Sequence, residues 1–379
     1  MTSPSIAIVS PEFPPQIGGV ERYAYEYAKA LAAQGHQVTV FTRPHPGGEV
    51  QIEGIQVLPR LRREYKLDRE LIRDTKVDAW HVMNAAYAWV ACETDAPVVV
   101  SVHGNDFLRP YLPLRKVRLP LPGFLVPKGL QHYLHDLGIK RTSELMVRGL
   151  EKAGAILTNS RYTERVLLDC FPDLTGSTVV GLVGVSQAHL DTPHSERPAG
   201  EPTRLITISR LSEPRKNIHL VLEALSALRE EFDFTYRVIG DGEEKASLQA
   251  LAEHLGLADR VTFCGRLSEQ EMLTELSASD LFILCSSVLP TSHEGFGIVY
   301  LEANACGVPT LGARLAGAAE AIDEGRSGFF VDEPSTQSIT AAVRRFLSGE
   351  LHFESADCHE FASRFTWTRV VENALPYYR

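Results

Sequence analysis

Residues 281–309 open with Leu281-Phe282-Ile283-Leu284-Cys285, pass through a polar stretch that carries a proline, and reach His293-Glu294-Gly295-Phe296-Gly297-Ile298-Val299-Tyr300-Leu301-Glu302 and Ala303-Asn304-Ala305-Cys306-Gly307-Val308-Pro309. The apolar run has the length of a buried strand, and residues 286–294 carry loop signals. Residues 298–305 have helical composition with no breaker until Gly307 and Pro309 supply a stop. Strand, glycine-bearing turn and helix make up the repeating unit of an α/β fold. Glu294 then precedes the helix, and Glu302 lies on its second turn.

A helix N-terminus presents unpaired N–H groups and about half a positive charge, so the turn at Phe296, Gly297, Ile298 and Val299 suits a phosphate. A carboxylate accepts hydrogen bonds and donates none, which matches the hydroxyls of a ribose or a pyranose. A nucleotide-sugar meets both demands. Each Glu taken singly reads equally well as a loop carboxylate or a solvated helix residue. The combination of Glu, seven residues and Glu around Gly-Phe-Gly-Ile-Val resembles the signature of retaining glycosyltransferases of family 4. The resemblance extends over most of the C-terminal half. It implies the GT-B fold, an α/β architecture of two Rossmann-like domains whose parallel sheets face a central cleft.

Length and composition agree with such an enzyme. A chain of 379 residues is too long for one ordinary core, and 44% hydrophobic with 23% charged residues is ordinary for a globular protein. A formal net charge of -10 argues against nucleic acid as a partner. The six cysteines form no Cys-x-x-Cys pair and read as reduced packing residues. Residues 1–9 lack a basic segment and a signal-length apolar run, and no stretch approaches the ~18 apolar residues of a membrane span. The expected location is the cytoplasm.

Toward the N-terminus, residues 6–10 form a strand-like run, followed by a proline-rich loop through Gly18-Gly19 and an alanine-rich helix over about residues 22–33. Gly18 and Gly19 can bring bare backbone against a phosphate because no Cβ intervenes. The spacing is not the dinucleotide fingerprint, and family 4 members carry a similar Gly-Gly loop over the donor phosphates. Residues 38–42 and 98–102 are β-branched runs that alternate with helical stretches near 67–74 and 83–92, which predicts a parallel sheet. The second run enters His103-Gly104-Asn105-Asp106, at the strand end where open α/β sheets collect ligands. In the family a His-Gly or His-Asp pair at this place touches the transferred sugar, so the resemblance assigns that part to His103. Asp106 is a candidate to orient the acceptor hydroxyl.

Residues 107–141 change character. Prolines at 110, 113, 120, 122 and 127 forbid one long helix, while seven basic residues face one acidic residue among many leucines and valines. That mixture suits an anionic membrane surface or a lipid-linked phosphate acceptor, and equally a loop packed on its own domain. A helix over residues 144–153, a strand at 155–160, a helix at 161–169 and a strand at 179–185 complete a first domain over 1–185. Residues 186–202 read as a linker.

The second domain, 203–358, opens on a strand that runs into Arg210-Leu211-Ser212-Glu213-Pro214-Arg215-Lys216. Arg210 and Lys216 match the family's phosphate-binding pair, the former bidentate and the latter a point charge. Gly240 follows the next strand, and Arg266 stands in the exit loop where the family holds the base. Ala316-Gly317-Ala318 departs from relatives that often have two adjacent glycines. Residues 335–347 are amphipathic, and 359–379 hold a terminal helix that the GT-B resemblance returns to the first domain.

The reading is a retaining hexosyltransferase whose donor is a nucleotide-sugar, with GDP-mannose favoured. Its expected acceptor is a lipid-linked glycan of a bacterial polysaccharide or lipopolysaccharide, which would place the protein peripherally on the inner face of the cytoplasmic membrane. No Asp-x-Asp pair occurs, so no metal and no cofactor is required by this reading. Glu294 would bind sugar hydroxyls and Glu302 the ribose. Lys216 and Glu294, taken as exposed cleft residues, should matter for turnover and little for stability. A UDP-sugar transferase, a nucleotide-sugar 2-epimerase, a phosphorylase and a non-catalytic nucleotide-sugar binder remain open alternatives.

Overall fold

A computed structural model describes residues 4–14, 19–45, 48–111 and 128–379, with only the backbone of 128–132 and 134. The chain divides into two compact units, Met1–Gly184 with Trp367–Arg379, and Val185–Thr366.

The first unit is built on an eight-stranded sheet with the order β3-β4-β2-β1-β5-β6-β7-β8. Its strands are β1 Ser5–Val9, β2 Gln37–Phe41, β3 Val50–Ile52, β4 Ile55–Leu58, β5 Ala79–Val82, β6 Val98–Val102, β7 Ala155–Thr158 and β8 Thr178–Val180. Every pairing is parallel except β3 with β4. β6, Val-Val-Val-Ser-Val, is buried at every position. A sheet covered on both faces selects such continuous apolar runs. The covering helices are α1 Gly19–Ala33, α2 Tyr65–Asp74, α3 Lys128–Lys152 and α4 Arg161–Cys170.

Five elements differ from the sequence expectation. The helix read from residue 144 begins at Lys128, directly after the last of the prolines that barred it. The helical reading of 83–92 is a 3-10 helix, Ala85–Cys92, whose side chain from Asn84 accepts from the Ala86 N–H at 3.0 Å. Strands β3, β4 and β5 carry too few residues to stand out as runs. α3 lies hard against the 85–92 helix, because a Cβ on Gly149 would come 2.1 Å from the Ala88 carbonyl oxygen. Gly149→Ala should therefore destabilise the fold by about 3 kcal/mol, read from urea unfolding midpoints, since the obstacle is backbone and cannot rotate away.

The second unit has the order β11-β10-β9-β12-β13-β14, all parallel. These are β9 Thr203–Ile208, β10 Phe234–Ile239, β11 Val261–Gly265, β12 Leu281–Leu284, β13 Thr310–Ala313 and β14 Gly328–Val331. Counted from its own first strand the order is 3-2-1-4-5-6, the doubly wound arrangement, and its direction reverses between β9 and β12. The helices are α5 Gln187–Leu190, α6 Ile218–Leu228, α7 Lys245–His254, α8 Glu269–Ser277, α9 Ile298–Ala305, α10 Thr336–Leu347 and α11 Ser355–Ser363. Ser268 with Glu271, and Ser335 with Ser338, close reciprocal caps that start α8 and α10 where the hydrophobic pattern begins.

Residues 186–202, read as a linker, are bound into the second unit. The Ser195 N–H donates to the Ser277 carbonyl at 2.8 Å, and Arg197 pairs with Asp280 at 3.0 Å. Their loop-like composition hides these long-range partners. α11 also stays with the second unit, so the chain returns to the first only at Trp367. From there α12, Trp367–Ala374, belongs to the first unit, where Trp367 packs edge-on against Tyr23 at 5.0 Å between ring centroids.

Candidate active site

The switch between β9 and β12 brings Glu213, Arg215, Lys216 and Glu294 together. β9 ends at Ile208, and the chain reaches α6 through a 3-10 turn, Pro214–Lys216. Asn217 then adopts the left-handed conformation, φ 56°. Its amide donates to the Cys285 carbonyl at 2.8 Å and the Ser287 hydroxyl at 2.7 Å, while the Ser287 N–H donates to the Arg215 carbonyl at 2.7 Å. These bonds tie the β9 exit to the β12 exit. On the other side, a Cβ at Gly240, φ 137°, would come 1.8 Å from the Ser209 carbonyl oxygen. Only glycine permits the β10 exit to lie there.

Glu294 is the centre of this knot. Lys216 Nζ lies 2.5 Å from Glu294 Oε2, Arg215 Nη1 lies 3.5 Å from the same oxygen, and the Ser286 hydroxyl donates to it at 3.4 Å. The Glu294, Lys216 and Arg215 side chains are 15%, 12% and 5% exposed, so none is a free surface charge. Burial pushes the Glu294 carboxyl upward, but Lys216 and Arg215 overcome it and hold the group at about 2. Arg215 also pairs with Glu213 at 2.6 Å and donates to the Ser292 hydroxyl at 2.8 Å. The sequence reading gave Arg215 no part. Its place beside Lys216 was the available signal, but basic residues in a loop usually face water.

α9 enters through Gly297, φ 87°, where a Cβ would meet the Tyr300 ring at 2.5 Å. No side chain caps this helix, while Phe296 is buried against Phe365 at 5.8 Å. The Glu294 carbonyl accepts from the Gly317 N–H at 3.0 Å, and Gly317 has no room for a Cβ because it rests on the Gly295 carbonyl. Ala316 beside it takes φ 53°, the left-handed region, at the point where the sequence departs from two adjacent glycines. Glu302 is not a solvated helix residue: it is 3% exposed within α9. Burial, then the Arg215 charge, lowers the neighbouring His293 to about 4, against the opposing pull of Glu294.

Of the other candidates in the second unit, Arg210 connects to this knot through Glu213, the partner of Arg215. Arg210 is 71% exposed and pairs with Glu213 at 2.9 Å. Arg266, also exposed, stands 3.6 Å from Asp241, and the Gly240 N–H donates to the Gly265 carbonyl.

In the first unit, Gly19 opens α1 with open space where a Cβ would stand, and Gly18 lies outside the described residues. His103 follows β6, packs edge-on against the Tyr23 ring at 4.4 Å, and is lowered by burial to about 4. Its Nε2 is buried without a hydrogen-bond partner among the described residues. Asp106, expected to face an acceptor hydroxyl, has both oxygens engaged: Oδ1 accepts from the His103 N–H at 3.0 Å and Oδ2 from the Ala85 N–H at 2.8 Å. It builds the turn that carries His103. Burial raises its carboxyl to about 6 against the pull of those N–H groups. Among the described residues, no group of three or more His, Cys, Asp or Glu is placed to hold a metal ion.

Comparison with known proteins bears on the fold and the family. Residues 17–177 match the family described as Glycosyltransferase Family 4, and residues 191–364 match Glycosyl transferases group 1. Similar proteins include the glycogen synthase of Mycobacterium tuberculosis, 26% identical over 98% of this chain and 94% of that protein. The GDP-mannose-dependent alpha-(1-6)-phosphatidylinositol monomannoside mannosyltransferase of the same species is 24% identical over 90% and 89%. Among solved structures, a sucrose-phosphate synthase from Thermosynechococcus elongatus superposes with a TM-score of 0.77 at 18% identity, over 99% of this chain and 98% of that one. The lipopolysaccharide outer core galactosyltransferase WaaB gives 0.70 at 16%, over 98% of both. With one family matched in each half and the same fold in its neighbours, the chain belongs to the two-domain glycosyltransferases of the family 4 and group 1 type, which have the GT-B fold.

Proposed function

We propose that the protein is a retaining, metal-independent hexosyltransferase that moves mannose from GDP-mannose to a lipid-linked glycan acceptor of a bacterial cell-surface polysaccharide or lipopolysaccharide. The observation that carries this reading is the buried Lys216–Glu294 pair at the reversal of the second sheet, 2.5 Å apart and backed by Arg215. A cation and a carboxylate fixed side by side suit a ligand that has a phosphate next to hydroxyls. Lys216, Arg210 and the uncapped start of α9 at Phe296, Gly297, Ile298 and Val299 hold the leaving diphosphate, joined by Gly18 and Gly19. Glu294 takes sugar hydroxyls, Glu302 the ribose, and His103 the sugar. Gly240 shapes the turn near the base, where Arg266 stands. Asp106 acts by fixing the His103 backbone.

In the transfer step the bond from the anomeric carbon to the phosphate oxygen breaks and the bond to the acceptor oxygen forms on the same face. The acceptor's proton passes to the departing phosphate, so configuration is retained without a protein nucleophile. Fixed cations and N–H groups stabilise the growing phosphate charge, the part that a divalent metal would otherwise fill.

A UDP-sugar donor is the second reading, favoured by the likeness to the Anabaena HepE structure solved with UDP-glucose, TM-score 0.69. Incubation with labelled GDP-mannose and labelled UDP-glucose separates the readings: transfer needs an acceptor, 2-epimerisation does not, and a binder leaves both donors intact. Loss of neither label to any acceptor, with both donors bound, would contradict the transferase reading.

Membrane attachment through 107–141 is the remaining part. Its central residues, 112–127, lie outside the described residues, whereas Tyr133 is exposed. Sedimentation should show binding to anionic but not neutral vesicles, worth ~1 kcal/mol per well-placed cation and weakened by salt. Changing Arg115, Lys116 and Arg118 together to Ser should remove most of it. Equal binding to both vesicle types would leave the acceptor as a soluble glycan.

A further inference from the structure

The second sheet holds an unused cation at the ends of β10 and β11, beside the strand that leads to Lys216. β10 hands over to Gly240-Asp241-Gly242, and the Gly240 N–H donates to the carbonyl of Gly265, the last residue of β11, at 2.8 Å. These exits form a floor of bare backbone. A Cβ on Gly242 would stand 2.3 Å from the Leu211 carbonyl oxygen, and Gly265 holds φ 71°, where a side chain is strained. Lys245, the first residue of α7, reaches across this floor: its Nζ lies 3.4 Å from the place a Cβ on Gly265 would take. The residue is half-buried, and its ammonium has neither a hydrogen-bond nor a carboxylate partner among the described residues.

The other charged groups at this end of the sheet are engaged. On the far side of the reversal, Arg314 after β13 is closed by Glu324 at 2.5 Å and Asp332 at 2.9 Å. Arg266 stands by Asp241 at 3.6 Å and is exposed. β9, β10 and β11 are successive parallel neighbours, so the exits of β9 and β11 are two strand spacings apart, about 10 Å. That is the reach of a ribose and a base beyond a diphosphate held at Lys216. A lysine ammonium carries three donors and no acceptor. Guanine turns O6 and N7 outward and uracil O4, all of them acceptors, whereas adenine and cytosine carry an amino donor in place of the keto oxygen. Lys245 therefore meets a keto base donor to acceptor and an amino base donor to donor.

We propose that Lys245 reads the nucleobase of the donor, selecting nucleoside diphosphates of guanine or uracil against those of adenine and cytosine. The proposal rests on the reading of this unit as the nucleotide-sugar site and adds the class of base that it takes. It assigns Lys245 a part separate from the diphosphate contact of Lys216.

The test is calorimetric titration of GDP, UDP, ADP and CDP into wild type, Lys245→Gln and Lys245→Met. Comparing GDP with ADP, and UDP with CDP, holds ring size fixed and varies the keto and amino groups. The wild type should favour the keto member of the pair it binds by about tenfold or more. Lys245→Gln, whose amide both donates and accepts, should bring that ratio within about threefold. Lys245→Met should lose the preference through weaker binding of the keto member. Unfolding midpoints should not move, because the ammonium has no partner to lose. A ratio unchanged in both variants, an equal loss for all four nucleotides, or a wild type without preference would overturn the proposal. Lys216→Ala should weaken all four alike, which places them in this site. Failure of the wild type to bind any of the four would sink the donor reading itself, and this inference with it.

Discussion

Lys216→Ala should lower transfer by about 100-fold or more, the loss typical when one preorganised partner of a developing charge is removed. The cation sits where the second sheet reverses, fixed by the 3-10 turn Pro214–Lys216 and held 2.5 Å from Glu294. Because Lys216 meets the diphosphate in the bound donor and more strongly as the sugar leaves, the effect should fall on both donor affinity and kcat. Lys216→Arg should not restore full activity, since a planar fork does not replace a point charge in a site already occupied by the Arg215 guanidinium. Steady-state kinetics with a labelled donor decides this. Unaltered turnover in Lys216→Ala would remove the residue from the site.

Glu294→Ala should cost both activity, again about 100-fold, and stability, by about 3 kcal/mol. The second loss corrects the expectation that these are exposed cleft groups. The substitution strands Lys216 and Arg215 as buried cations without their shared carboxylate, and breaking one side of a buried pair is strongly destabilising. The effect depends on pH with a defined sign. The folded carboxyl is held at about 2, below its ordinary 4.5, so its contribution is fully present above 4.5 and is lost as pH falls toward 2. The stability gap between wild type and Glu294→Gln should therefore narrow between pH 5 and pH 2, measured by urea unfolding. A gap that stayed constant over that range would mean the carboxylate is not stabilised by its neighbours.

The parts of this protein legible in the sequence are those set by local pattern. The helix read over 298–305 has those bounds in α9, because its composition and the Gly307-Pro309 stop act within one element. The Rossmann-like second domain was implied by the family resemblance, and its strand order, with the reversal between β9 and β12, comes from the structure. What was not legible depends on distant residues. β5, Ala-Trp-His-Val, is a strand because β1 and β6 flank it, and His81 within it gains meaning only from Ser101 and Tyr378. Lys216 read as a phosphate-binding cation of an exposed cleft and Arg215 had no part, whereas the β12 exit folds Glu294 onto both as a shared, largely buried partner. Asp106 read as a group to orient the acceptor hydroxyl, whereas both its oxygens accept from backbone N–H groups. Residues 186–202 have the composition of a linker, yet Ser195 and Arg197 find partners more than eighty residues away, at 277 and 280.

The central claim is that cations and backbone N–H groups around Glu294 bind the diphosphate of a nucleotide-sugar without a metal. Calorimetric titration of GDP-mannose and UDP-glucose into the protein in excess EDTA tests it most directly. The account predicts saturable binding of one donor, weakened by about tenfold or more in Lys216→Ala, as a charge-assisted contact to phosphate is worth roughly 1.5–3 kcal/mol. Binding that vanishes in the chelator and returns with Mg²⁺, or that is unchanged in Lys216→Ala, would contradict it.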